Sequence, residues 1–282
     1  MKYILLLITL AGYLAAQTIH SSASTYIETK TFTSSVQKED SILYGVGGDI
    51  HYGASAFKLA YEHGDTKTKQ PPLKDDLHTD KLFLRYVHTL NEKFKVNLNY
   101  LSVLKDNIAP TDGGVAYGLG LTYMPSKSIS TNFTQYMTNY SDFDVLQSDF
   151  KLDYKFKLNA FKIKISSITK YITIDEKNRN SFTKFADDEY LTTALKVHAH
   201  YNSFHFGAGA YYGKRVFAVM RDGFKLQHHA MEFDRTYALG IGKNFSDFVL
   251  RFQYIYQRAE ELPAHNENVE VQNLRFIANY KF

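Results

Sequence analysis

The sequence predicts an all-β chain, an antiparallel transmembrane β-barrel of about fourteen strands, with twelve and sixteen as outer bounds. Three observations predict it. Apolar and polar residues alternate with a period of two along most of the chain, the mark of strands whose two faces meet different surroundings. The connections alternate between short and long, as they do when tight turns gather at one end of a barrel and loops at the other. The chain also opens on an apolar stretch built like an export signal.

Composition bounds the rest. The 282 residues are 44% apolar and carry a net charge of +4, which marks neither a disordered acidic chain nor a nucleic-acid binder. No nucleic-acid partner is expected. There are 22 Tyr and 21 Phe but no Trp. The absence of cysteine excludes disulfides and thiolate metal sites, and it suits passage through an oxidising compartment.

Lys2 gives the chain a positive start, and Ile4 to Ala16 is apolar and ends in small residues. At 13 residues this stretch falls short of the roughly 20 that a membrane-spanning helix needs. It reads as a signal peptide over 1–16, with cleavage as late as Ala23, and leaves 17–282 as one barrel domain. The first strand segment, 24–34, is the faintest, being mostly Ser and Thr around Tyr26 and Phe32. Segments at 42–52, 56–64 and 81–90 follow. The next, 94–104, sets Phe94, Val96, Leu98 and Tyr100 against Lys95, Asn97 and Asn99. In 115–124, Val115, Tyr117, Leu119, Leu121 and Tyr123 oppose Ala116, Gly118, Gly120 and Thr122. After 129–140, the segment 145–157 alternates Leu146, Phe150, Leu152, Tyr154 and Phe156 with Gln147, Asp149, Lys151, Asp153 and Lys155. The remaining segments lie at 161–173, 189–201, 204–214, 232–243, 248–258 and 269–282.

Links at 53–55, 91–93, 125–128, 158–160, 202–203 and 244–247 are short. Those at 35–41, 65–80, 105–114, 141–144, 174–188, 215–231 and 259–268 are mostly longer and polar, so they form the extracellular loops and the short set the periplasmic turns. At the tightest turns the register supports this reading. Folding around Asn159-Ala160 sets Lys157 opposite Lys162 and Lys155 opposite Lys164, with Leu158 opposite Phe161 on the other face. Folding around Asn202-Ser203 sets Tyr201 opposite Phe204 and His200 opposite His205. A slip of one residue would invert every face.

The polar face holds Lys, Asp, His, Gln, Asn and Gly, a set that no protein core buries without partners. It is therefore assigned to an aqueous lumen and the apolar face to lipid. Tyrosines near strand ends fill the interfacial girdle that Trp usually shares. The closing stretch "NLRFIANYKF" puts Leu274, Phe276, Ala278, Tyr280 and Phe282 on one face. This resembles the C-terminal strand of bacterial outer-membrane β-barrel proteins, and the chain as a whole is similar to monomeric fourteen-stranded porins. The resemblance implies the outer membrane of a Gram-negative bacterium and a channel for small hydrophilic solutes. It also implies lipid and lipopolysaccharide as surroundings, and the barrel assembly machinery as a partner that reads Phe276, Tyr280 and Phe282. A monomer is favoured.

By parity, Arg85, Lys95, Lys151, Lys155, Lys157, Lys162, Lys164, Lys170, Lys196, Arg251 and Arg275 point inward. The inward acids are fewer, namely Asp49, Glu62, Asp149 and Asp153, with Asp149 opposite Lys170. The balance leans toward anions. Water screens the opposed lysines, cutting their repulsion to about 1 kcal/mol at 4 Å. His198, His200 and His205 share the lumen face; lumen lining is the first reading, with metal binding or pH sensing as sharper ones. Residues 215–231, with Asp222-Gly223 at a turn, are expected to protrude as a hairpin, the alternative being a lid over or into the mouth. No catalytic set, cofactor or metal is expected. The competing readings are a closed-lumen barrel that binds partners through its loops and a barrel hydrolase acting on lipids. A Ser–His or Asp–His pair at the lipid-facing rim would favour the latter.

Overall fold

Every strand segment expected from the alternation is present. In the computed structural model, which describes residues 19–69, 73–107, 110–179, 181 and 183–282, they form one closed antiparallel barrel of fourteen strands. The strands are β1 (His20–Thr33), β2 (Lys38–Tyr52), β3 (Ser55–Thr68), β4 (Leu77–Thr89), β5 (Phe94–Asp106), β6 (Val115–Tyr123), β7 (Ile129–Asn139), β8 (Asp144–Leu158), β9 (Phe161–Asp175), β10 (Glu189–Tyr201), β11 (Phe204–Arg215), β14 (Met231–Phe245), β15 (Phe248–Glu261) and β16 (Asn266–Lys281). Two further strands, β12 (Val219–Met220) and β13 (Lys225–Leu226), pair only with each other inside the ring. Neighbours in sequence are neighbours in the wall, and β16 closes the ring on β1.

The faces fall as the parity requires. Leu119 and Leu239 stand outward at 62% and 63% exposure, within a band that includes Leu59, Phe133, Phe150, Leu195 and Phe276. Inward positions alternate with them. Both tight turns have the expected register: Lys157 pairs with Lys162, Lys155 with Lys164, and His200 with His205. Gly45 has a local reason. A Cβ there would lie 2.0 Å from the Tyr26 ring, which crosses the inner wall at that point.

The strands run further than the alternation indicated. The link expected at 259–268 is only 262–265, and that expected at 35–41 is 34–37. Beyond the apolar band the outer face meets water and turns polar while the inner face is buried, so the period-two signal fades while the backbone ladder continues. The leader assigned to 1–16 lies outside the described residues. Ala23, the later cleavage position, lies within β1, paired with Gly48 and Tyr280.

The expected protrusion of 215–231 is corrected. The segment turns inward and packs inside the long-loop half of the barrel. Val216, Phe217 and Ala218 have no exposed surface. They join a core with Ile168, Ile172, Ile174, Tyr136, Val145, Phe83 and Leu101, capped by Tyr140, Phe143 and Leu262 from the loop end. The reason is that the inner face there is not wholly polar. Those isoleucines, Phe83, Leu101 and Val145 point into the bore, and an apolar segment covers them at roughly 25 cal/mol per Å² buried.

Candidate functional site

The inner segment is fixed to the wall by polar contacts as well as by its apolar core. The Gln147 amide from β8 donates to the Val219 carbonyl at 2.8 Å and accepts from the Val219 N–H at 2.8 Å. Lys170 from β9 donates to the same carbonyl at 2.9 Å and is paired with Asp149, so this expected cross-strand pair is present. At the segment's tip, Lys151 donates to the Asp222 carboxylate at 3.1 Å, while Arg85 bonds the Asp222 carbonyl at 3.2 Å and lies 3.9 Å from its carboxylate. Burial by itself would raise the Asp222 carboxyl, but Lys151 and then Arg85 outweigh it and hold the group at about 2. Gly223, at φ +97°, lies against Asn99, whose Oδ1 would be 2.8 Å from an added Cβ.

Lys225 reaches back across the bore to Glu28 at 3.1 Å. Glu28 also faces Arg275 at 3.6 Å and Lys30 at 3.9 Å. Next to it Glu62 accepts from Lys81 at 2.9 Å and from the Tyr26 hydroxyl. Arg275 lies 3.6 Å over the Tyr26 ring. Four cations thus surround two carboxylates in a buried cluster. Sequence reasoning placed Arg275 and Glu62 inward but missed Glu28, Lys30, Lys81 and Lys225. In β1 the outward positions are Ala23, Thr25, Ile27, Thr29, Thr31 and Thr33, so Ile27 is the one large apolar residue there and the parity of Glu28 and Lys30 was only faintly marked.

Toward the short-turn end the lumen is wet and basic. Three ladder rows run across β8, β9, β10 and β11. The first is Lys157, Lys162, His200 and His205; the second is Lys155, Lys164 and His198; the third is Asp153, Ser166 and Lys196. Asp153 accepts from Ser166 at 2.5 Å, so the one acid in these rows is engaged. His205 lies 2.6 Å from the Asn244 Oδ1, and its ring meets that of His200 edge-on at 4.4 Å. Among the described residues, no group of three or more His, Cys, Asp or Glu is arranged to hold a metal. Arg251 lines the same space, while Lys95 stands on β5, three strands along the wall from β8, paired with Thr89 and Thr122. Beside the basic rows the wall is bare: Gly207 pairs directly with Gly240, flanked by Gly209 and Gly242. A cavity of about 690 Å³ occupies this side of the inner segment, lined by Lys196, His198, Arg251, Asp222 and Lys225.

Two rim arrangements bear on the hydrolase reading. On the outer face near the loops, His63 lies 2.8 Å from Asp80 and 3.2 Å from Asp65, which also lies 2.6 Å from His78. Both imidazoles are engaged by carboxylates, with the Tyr61 hydroxyl donating to Asp80. At the opposite rim Ser55 Oγ lies 2.9 Å from His88 Nδ1 and 3.1 Å from the Tyr86 hydroxyl. The Asp–His pair at one rim and the Ser–His pair at the other are of the kind that favours the hydrolase reading, but neither place brings serine, imidazole and carboxylate together in one hydrogen-bonded set.

No family model matches the sequence, and no characterised protein matches it in sequence. In structure the chain is similar to the CymD monoaromatic hydrocarbon channel, at 12% identity over 93% of this chain and 87% of that one, with a TM-score of 0.56. It is similar to a bacterial polysaccharide outer membrane secretin at 9% identity, over 92% and 98% of the two chains, with a TM-score of 0.55. A third likeness is to the Ralstonia pickettii toluene transporter TbuX, at 10% identity, over 95% and 90%, with a TM-score of 0.54. The likeness is one of fold.

Proposed function

We propose that this chain is an outer-membrane channel for small hydrophilic solutes that favours anions. The observation that carries the reading is the set of basic rows on β8 to β11 inside a closed barrel, of which Lys164, Lys196, His198, His200 and His205 line the cavity and Lys155, Lys157 and Lys162 continue the inner wall to the short-turn rim. Lys155, Lys157, Lys162, Lys164, Lys196, His198 and His200 stand together there with Asp153 as the one acid in their rows. Rings of such side chains raise the local concentration of anions and repel cations. The names of the three structural neighbours are a monoaromatic hydrocarbon channel, a toluene transporter and a polysaccharide outer membrane secretin, so fold alone does not choose the solute. The short-turn end then faces the periplasm, and the outward apolar band meets lipid and lipopolysaccharide. Phe276, Tyr280 and Phe282 serve as the assembly signal.

The test is conduction in a planar bilayer under a salt gradient. Wild type should show discrete steps with a reversal potential on the anion side. Replacing Lys155, Lys157, Lys162 and Lys164 by glutamate should move that potential toward cations. Steps without any such shift would place the lysines outside the path, and no steps at all would end the channel reading.

A second reading, a barrel with its outer half permanently filled and its loops exposed to partners, is favoured by the apolar core around Phe217. Removing residues 217–229 separates the two. A large gain in conductance shows that the segment is the barrier in an otherwise open bore.

A further inference from the structure

The outer face of the wall carries one charge low in its apolar band. On the strands of the short-turn half, outward positions hold apolar, aromatic and a few neutral polar side chains. Lys243 of β14 is the one lysine, arginine or carboxylate among the described residues at those positions, and it is exposed. Its ammonium stands 5.3 Å from the Phe204 ring and 5.0 Å from the Phe245 ring. Among the described residues no carboxylate lies within ion-pairing distance of it, Asp247 of the following turn included. The rings favour the charge without neutralising it. At a membrane surface the counter-charge of such an ammonium comes from outside the chain.

Next to Lys243, toward the middle of the band, the same face is hollow. A groove of about 440 Å³ lies across β10, β11, β14 and β15. Ladder rows order the parts. Phe204 and Lys243 pair at the rim, and Phe206, Ile241 and Phe252 form the next row. Val197, Ala208 and Leu239 form the row after that. These last two rows line the groove. Ala208 makes it deep, since only a methyl group stands between Val197 and Leu239. From Lys243 to Leu239 is four residues, about 13 Å along the strand. A cation at the rim is thus continuous with an apolar trough that runs into the band.

We infer that Lys243 and this groove form a binding site for an anionic phospholipid, its phosphate at Lys243 and an acyl chain laid along the trough. The site goes beyond the channel reading. It takes from that reading only the orientation that puts the short turns at the periplasm, so the lipid belongs to the periplasmic leaflet and is not lipopolysaccharide. Charge chooses the occupant. A zwitterionic phospholipid brings its own ammonium, which competes with Lys243 for the phosphate. A second copy of this chain brings another Lys243 and no outward carboxylate on the strands of that half, so it leaves the charge unpaired. The chain of the lipid gains by filling a trough that a flat wall would not offer it.

The full chain in detergent is mixed with phosphatidylglycerol and phosphatidylcholine of the same acyl chains, and the lipid retained is read by native mass spectrometry. Wild type should retain phosphatidylglycerol about fivefold over phosphatidylcholine. K243Q should bring that ratio near one, and K243R should keep it. A208F fills the trough from an outward position and should lower retention of phosphatidylglycerol with Lys243 still in place. Unheated gel migration checks that each variant is a barrel. Should A208F not assemble, wild type and the two Lys243 variants still decide. Equal retention of the two lipids by wild type, or a ratio unchanged in K243Q, overturns the site. Retention unchanged in an assembled A208F overturns the trough as the seat of the chain. A dimer free of lipid gives the face to a second copy instead. Conductance is a separate readout: conduction without lipid preference retires this site alone, and lipid preference without conduction retires the channel alone.

Discussion

Gln147 behaves as a strand neighbour made from a side chain. Its amide offers Val219 a donor and an acceptor, each at 2.8 Å, as a flanking strand would offer its peptide group. That matters because Val219 is buried and its peptide needs partners. Gln147→Leu removes both bonds and leaves the Val219 N–H without this acceptor. The inner segment should lose about 1–3 kcal/mol of its hold on the wall. Amide hydrogen exchange checks this: residues 216–226 should exchange faster while β8 and β9 keep their protection. Unchanged protection of the segment would mean that the apolar core alone retains it. From the sequence Gln147 was legible only as a lumen residue. Nothing in its neighbours told that a segment some seventy residues away would claim it.

At the scale of elements, the strands were legible because each carries its own alternation, and hairpin register follows from that alternation plus the turn. Lys157 opposite Lys162 and Asp149 opposite Lys170 needed no more than this. The inner segment was not legible in the same way, since an apolar connection reads alike whether it protrudes or folds in. A signal was present elsewhere. Ile168, Ile172 and Ile174 occupy lumen parity on β9, as Phe83 does on β4 and Leu101 on β5, and apolar side chains in a wet bore call for an apolar cover. The segment also carries two buried imidazoles. Burial, then Lys81, holds His228 down at about 4 against the pull of Asp106, with Lys30 adding to the depression. Burial, His228, Lys38, Lys30 and Lys81 depress His229 too. Both are neutral when packed and regain a value near 6.5 on release, so the released state binds more protons as pH falls below 6.5. The packed state is then at full strength above 6.5 and is lost progressively toward 4. For His228 alone the loss is roughly 2 kcal/mol at pH 5. Conductance should therefore rise between pH 7 and 5, and the double replacement of His228 and His229 by phenylalanine should flatten the rise. A wild-type conductance constant over that range would remove these histidines from any control of the bore.

For the molecule as a whole, closure depends on the pairing of the first and last strands. β1 pairs with β16 from Ser22 opposite Lys281 to Thr33 opposite Glu270, and the Phe282 N–H donates to the Ser21 carbonyl at 3.0 Å. Tyr280 and Phe282 project outward, with their rings 5.0 Å apart. With both side chains exposed, the closed ring asks little of them, which suits the assembly signal proposed above. Replacing both by alanine should lower the amount of barrel assembled in cells while leaving the heat resistance of whatever assembles near that of wild type, as resolved by unheated gel migration. A parallel fall in both would make the pair structural instead. The barrel and its strand count were legible because closure follows from many local alternations that agree. The state of its bore was not, because that depends on contacts between distant parts such as Lys225 with Glu28 and Asp222 with Lys151.

The obstruction in the bore is spliced at both ends into neighbouring staves, β11 on one side and β14 on the other. It can swing or slacken, but it cannot leave, be shed into the medium or be replaced by a foreign stopper. Each opening must return to the same seat. A record from one molecule should therefore flicker between fixed levels indefinitely, without the irreversible jump that a detachable cork would leave behind.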